Sequence, residues 1–184
     1  TKIVYVASLA GVLPGGPGHS HQAVRDISSL AGVPGLTMVE PSCEAEVGAL
    51  LDWAINANDA SSYIRLVSIP CEIDYSLPQD YKPRPGVGVT LADGGDVAVI
   101  AYGPVMLPIA IDAARTLQTE GMSVKVINLP WLNRVDRDWL ASAVAGTRAV
   151  VSIDNHFVVG GQGDRIANAL ATIADAPPLV RVGL

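Results

Sequence analysis

The chain has 184 residues, enough for one large domain or two small ones, and 49% of them are hydrophobic against 16% charged. That balance, with a mean hydropathy of +0.35, excludes a disordered chain. The formal charge of −6 excludes a surface built to neutralise nucleic-acid phosphates. No apolar run reaches the roughly 18 residues of a membrane span, and no signal-peptide pattern follows Lys2, so a cytoplasmic protein without a membrane or nucleic-acid partner is expected. Cys43 and Cys71 make neither a disulfide framework nor a metal site. The few charges cover a surface poorly, which points to self-association.

Taken in chain order, Lys2 to Ser8 is rich in Val and Ile and reads as a strand. The Gly/Pro loop Leu13 to Ser20 follows, then a helix from about Ser20 with Val24, Ile27, Leu30 and Ala31 on one face. Leu36 to Glu40 reads as a short strand. Ser42 is the expected N-cap of the next helix, with Glu44 and Glu46 at the positive end of its dipole and an apolar stripe of Val47, Leu50, Leu51, Ala54 and Ile55. Tyr63 to Val67 closes a β-loop-α-β-α-β unit. Prolines then interrupt every period, so residues 73–92 read as a linker ending in a small hairpin near Gly86 to Leu91. A second unit, 93–184, alternates strands at Asp96 to Tyr102, Val124 to Leu129, Arg148 to Ile153 and Leu179 to Val182 with helices. The helices run from about Pro104 (Ile109, Ala110, Ala113, Ala114 and Leu117 inward), from Asp136, and over Gly160 to Ala174. The fold class is therefore α/β: two three-layer units with mostly parallel sheets, of which the first, 1–72, is incomplete. The chain begins at Thr1 inside a strand and reads as a piece of something longer.

Two loops can carry chemistry. Gly15 to Gln22 follows a strand end and precedes a helix, where open α/β sheets place ligand sites. It holds His19, Ser20 and His21, and an imidazole exchanges protons near neutral pH. From spacing alone it is either such a site or a Gly-rich turn with solvent-facing histidines. His19 and His21 have no third ligand nearby, and no residue is expected to bind a metal. Asp154-Asn155-His156 followed by Gly160-Gly161-Gln162-Gly163 is the second loop. It lacks dinucleotide-fingerprint spacing and reads more simply as a tight strand-to-helix connection. Near the start of the second helix, Glu44 and Glu46 fit dipole capping better than an acid/base pair.

In serial order these features resemble the transketolase superfamily. Gly18 to Gln22 with Val24-Arg25-Asp26-Ile27 is similar to its GPTHQ-type segment, and Pro34 to Glu46 to the strand-helix junction that follows. Tyr63 to Leu66 resembles the strand closing the pyrimidine-binding domain, and Asp96 to Gly163 resembles the C-terminal domain. The resemblance covers nearly all of the chain. It implies thiamine diphosphate and Mg²⁺ as cofactors, with the activating glutamate and the diphosphate- and metal-binding domain outside these residues. The partners it implies are a homodimer mate or a subunit carrying that domain, and a small sugar or keto substrate. The activity implied is transfer of a two-carbon ketol from a ketose to an aldehyde. Alternatives are a 2-oxoacid dehydrogenase decarboxylating β subunit, a 1-deoxyxylulose-5-phosphate synthase, or a non-catalytic dimerisation module. By the same resemblance His21 is catalytic, His19, Ser20 and Arg65 bind substrate, and Gln22 lies at the cofactor. Pro17 and Ser68 stand where transketolases carry an Asp and an Arg for sugar hydroxyl and phosphate, which leaves the donor and acceptor open.

Overall fold

The computed structural model describes residues 1–16 and 18–184; Pro17 lies outside the described residues. Strands β1 (Val4–Ala7), β2 (Thr37–Val39) and β3 (Ser62–Arg65) form a wholly parallel sheet in the order β1-β3-β2. Helices α1 (Asp26–Leu30) and α2 (Glu44–Asp52) make the crossovers, α2 ending in a π-helical turn over Trp53–Ala57. The second sheet takes the order β4-β6-β5-β7-β8 from β4 (Val89–Ala92), β5 (Val97–Ala101), β6 (Val124–Asn128), β7 (Ala149–Ile153) and β8 (Leu179–Val182). All its pairs are parallel except β4 with β6. Helices α3 (Gly103–Thr119), α4 (Arg137–Ala143) and α5 (Gln162–Leu170) connect them. β5 is central and its Ala98 to Ala101 are all buried, which is why this stretch is apolar at every position. No helix among the described residues is long and apolar enough to cross a membrane.

Several local expectations are corrected. The hairpin near residues 86–91 does not form; Val89 pairs with Asn128, so β4 is an edge strand of the second sheet within the segment read as linker. The helix expected from Ser20 starts only at Asp26, because Ala23 bridges to Ala10 and its carbonyl accepts from Gly11 N–H. Cys43, not Ser42, is the N-cap of α2, and the Ser42 N–H instead donates to Glu46 Oε2 at 2.7 Å. Glu46 is fully buried and turns α2 so that Leu50 and Ala54 face the core while Leu51 and Ile55 face solvent. In α3 the inward stripe is Leu107, Ala110, Ile111 and Ala114, leaving Ile109 exposed. Asp136 does cap α4, accepting from Trp139 N–H at 2.8 Å.

The two sheets share one core. Val39, Leu50, Ala54 and Ile64 of the first unit pack in the same cluster as Ile100, Ile127, Leu129, Trp131 and Ile166 of the second. Backbone bonds join the units directly: Glu40 N–H donates to Pro130 O and Leu132 N–H to Met38 O, both at 2.9 Å. Trp131, fully buried, meets Trp53 edge-on with ring centroids 4.8 Å apart. Glu46 adds a polar tie, accepting from Asn128 Nδ2 at 2.9 Å and from the Tyr81 hydroxyl at 2.6 Å. Burial, then the facing Glu46 carboxylate, push the Tyr81 phenol well up.

Trp131→Ala should therefore cost about 3–5 kcal/mol. Because the core is common, both units should lose stability together. Far- and near-UV melting curves are expected to stay coincident in the parent and to shift together in the variant.

Candidate active site

The site is built where the strands of both sheets end. β1, β2, β3 and β7 deliver, in turn, the loop from Ser8, Glu40, Arg65 and Asp154-Asn155-His156. The two loops singled out by the sequence meet there: Phe157 N–H donates to Val24 O at 3.1 Å and Val12 N–H to Asn155 Oδ1 at 3.1 Å. The guanidinium of Arg25 lies 5.2 Å from the Phe157 ring centroid. His156 is fully buried, and its Nε2 accepts from Ser28 N–H at 3.3 Å, which puts the ring proton on Nδ1, 2.6 Å from Phe157 O.

Arg65 sits between them. Nε donates to Asp26 Oδ2 at 2.8 Å, Nη1 donates to Glu40 Oε2, and Nη2 donates to Ala23 O at 2.5 Å and Asn155 O at 2.9 Å. Its side chain and that of Glu40 are fully buried. The structure thus gives Arg65 a different place from the substrate-facing one the resemblance implies: four protein acceptors occupy it and solvent does not reach it. Tyr63 OH donates to the same Asp26 Oδ2 at 2.9 Å. Burial raises the Glu40 carboxyl above its ordinary value, and the guanidinium only partly offsets that. The Tyr102 hydroxyl donates to Asp154 Oδ1 at 3.1 Å. Asp154 also accepts from the first amides of α5, Gln162 N–H at 2.8 Å and Gly163 N–H at 3.0 Å. Its carboxyl is likewise raised by burial, and those amides pull against the shift. This explains the glycines of the second loop: a Cβ at Gly161 or Gly163 would lie 2.9 or 3.1 Å from the Asp154 carboxylate. Gln162 Nε2 donates to Leu129 O and Trp131 O.

The tip of the first loop is open where its base is closed. Gln22 Nε2 donates to Val12 O at 2.6 Å, and Ala23 N–H to Leu9 O at 3.1 Å. Between them His19, Ser20 and His21 are exposed, with Ser20 Oγ 2.9 Å from His21 Nδ1. A Cβ at Gly15, Gly16 or Gly18 would meet nothing within 4 Å. The loop therefore offers imidazoles, a hydroxyl and unfilled space at a strand end. That donor set suits a substrate oxygen or one face of a bound cofactor. It does not suit a metal-diphosphate group, since no three His, Cys, Asp or Glu side chains stand together among the described residues. Ser68, which stands where the resemblance expects an arginine, donates to Ser8 O. The buried network of Asp26, Glu40, Tyr102 and Asn155 escapes sequence reasoning; its one visible signal is a charged residue ending each of the apolar strands β2 and β3.

These features belong to a known class. Residues 1–68 match the transketolase pyrimidine binding domain and residues 86–183 the transketolase C-terminal domain, and the chain belongs to the transketolase family. That family is thiamine diphosphate-dependent. Among curated relatives, the chain is 32% identical over 170 residues to 1-deoxy-D-xylulose-5-phosphate synthase 1 of Geobacter sulfurreducens, covering 92% of this chain and 26% of that protein. It is 31% identical over 183 residues to a 6-deoxy-6-sulfo-D-fructose transketolase subunit from a Clostridium species, covering 100% of this chain and 55% of that one. A solved split-gene transketolase, described as an inactive β4 tetramer, superposes with a TM-score of 0.85 at 30% identity, covering 98% of this chain and 57% of that chain. The chain thus spans between about a quarter and just over half of the relatives it matches.

Replacing Arg65 by Met should cost roughly 3–5 kcal/mol by leaving buried carboxylates unpaired. A further Glu40→Gln substitution should restore part of it, a non-additivity read in a double-mutant cycle. Without Arg65 the Glu40 carboxyl rises further above 4.5 in the folded state. A raised carboxyl gives stability that is present below its unfolded value and lost as pH climbs through the folded one. The deficit of Arg65→Met should therefore grow as denaturation is measured at successive pH values upward from about 4.5.

Proposed function

We propose that this chain is the pyrimidine-binding and C-terminal portion of a thiamine diphosphate- and Mg²⁺-dependent transketolase-type enzyme that moves a two-carbon ketol unit from a ketose to an aldehyde. The observation that carries the reading is His21, exposed at the tip of a strand-end loop whose base is pinned on both sides. When bound, thiamine diphosphate supplies a nucleophilic carbon for addition to a carbonyl. His21 donates a hydrogen bond to the substrate oxygen as it gains charge and then holds or releases the proton. Ser20 and His19 face the substrate beside it, and Ser20 also orients the His21 ring through Nδ1. Gln22 braces the loop through Val12 and lies beside the cofactor in this reading. Arg65 acts behind them, holding Ala23 and Asp26. A partner subunit or a second copy brings the diphosphate- and metal-binding part. The edge of β1, where Ile3, Tyr5 and Val6 are 43%, 50% and 57% exposed, is the surface offered to it.

A second reading, synthesis of 1-deoxyxylulose 5-phosphate, is favoured by the identity to enzymes of that name. The two differ in donor. A ketol transferase consumes a ketose with no gas released, whereas the synthase consumes pyruvate and releases CO₂.

In the complete enzyme His21→Ala should lower turnover about 10²-fold or more while cofactor affinity and melting temperature stay near those of the parent. Steady-state kinetics, a cofactor titration and a melting curve test this together. Turnover near that of the parent, or lost only in step with stability, would remove His21 from the reaction. Separately, Tyr5→Lys with Val6→Lys should weaken subunit association without lowering the melting temperature of the chain, as read by sedimentation.

A further inference from the structure

The arginines of this acidic chain are unevenly satisfied. Arg65, Arg115, Arg137, Arg148 and Arg181 each face a carboxylate, and Arg25 lies over a phenyl ring. Among the described residues Arg84, Arg134 and Arg165 have no such partner. Arg134 and Arg165 line one cavity of about 560 Å³, and Arg84 directly precedes its lining residue Pro85. The cavity lies between the start of α4, the outer face of α5 and the Pro85-Gly86 turn. Arg165 and Asn168, three residues apart on α5, and Thr172 just beyond its end reach it from one side. Arg137 forms the facing wall: Nη1 donates to Asp138 Oδ1 at 2.7 Å and Nη2 to Thr172 O at 3.0 Å, so its guanidinium is fixed across the gap from α4 to the end of α5. The carboxylate in this lining, Asp136, is committed to capping α4 through Trp139 N–H.

We propose that this cavity binds the phosphate group of a small phosphorylated metabolite. Guanidiniums without a carboxylate partner, gathered on one open surface depression, raise the local positive potential, here in a protein with 18 acidic against 12 basic side chains. Their planar forks match phosphate oxygens, and the Asn168 amide adds an uncharged donor. The site shares no residue with the loop from Ser8 to Arg25. Its wall is tied to the first unit, because Asn133 accepts from Met38 N–H at 3.0 Å and donates to Leu36 O at 2.8 Å.

The test uses the full chain at constant ionic strength, with inorganic phosphate and pyrophosphate as probes and sodium chloride as the control. Calorimetry and thermal shift should show saturable binding and a rise in melting temperature, larger for pyrophosphate. The double variant Arg134→Ala, Arg165→Ala should bind at least about ten-fold more weakly. It should melt as the parent does without ligand, since both side chains are exposed and unpartnered. His21→Ala should bind the probes as the parent does, which separates this site from the proposed catalytic loop. Absence of saturation, or equal binding by the double variant, would overturn the proposal. So would a double variant that fails only in subunit association, which would make the patch a protein contact.

Discussion

The buried guanidinium of Arg65 is the point on which the rest of the structure converges. A planar cation with five donors is placed where four acceptors from three segments face inward, and it closes the gap between strand ends that belong to different sheets. Removing charge from water is costly, so such a group persists only where opposite charge and several acceptors face it. The carboxylates of Asp26 and Glu40 supply that satisfaction, and each lies on an element that would otherwise be free to shift. One side chain thereby fixes the end of β2, the start of α1 and the loop after β7 relative to one another.

From that constraint the arrangement of the candidate site follows. The loop after β1 is held at its base by backbone pairing with Leu66 and Ala23 and by the Asn155 side chain, while His19, Ser20 and His21 toward its tip are exposed. A base held by hydrogen bonds and an exposed tip are the conditions under which the role proposed for His21 has both a defined position and room for a reactant. The second loop contributes nothing exposed of comparable chemistry. Its Asp154 and His156 are spent on internal bonds, and its glycines serve the close approach of α5 to the Asp154 carboxylate.

Much of this is legible in the amino-acid order and some of it is not. The strands β5, β6 and β7 announce themselves as short apolar runs bounded by Gly, Asp or Asn, and Asp136 marks the start of α4 by its capping chemistry. The phase of α2 is hidden, because periodicity assumes that charged residues face out, whereas Glu46 faces in to meet Asn128 and Tyr81. The false helix at Ser20 arises in the same way: local pattern favours it, and a long-range bridge between Ala10 and Ala23 overrides it. The Arg65 network is the least visible feature, since its partners lie 25, 39 and 90 positions away and no local rule joins them. The exposed position of His21 is legible from its setting among glycines after a strand. Arg65 is seen as a notable charge but assigned to the wrong neighbour, because sequence does not report burial.

The meeting of Glu40 with the first residue of α3 has an evolutionary corollary. Gly103 adopts φ +73°, and a Cβ there would overlap Glu40 Oε1. A glutamate at 40 therefore adds a second bar to any side chain at 103. A chain that shortens residue 40 removes the overlap at 103 and loses a buried acceptor for Arg65, but the left-handed backbone at 103 still favours glycine. One that keeps the glutamate must keep the glycine. A side chain at 103 is therefore excluded twice over where the acidic partner of the buried guanidinium is present at 40, once by the backbone and once by the carboxylate.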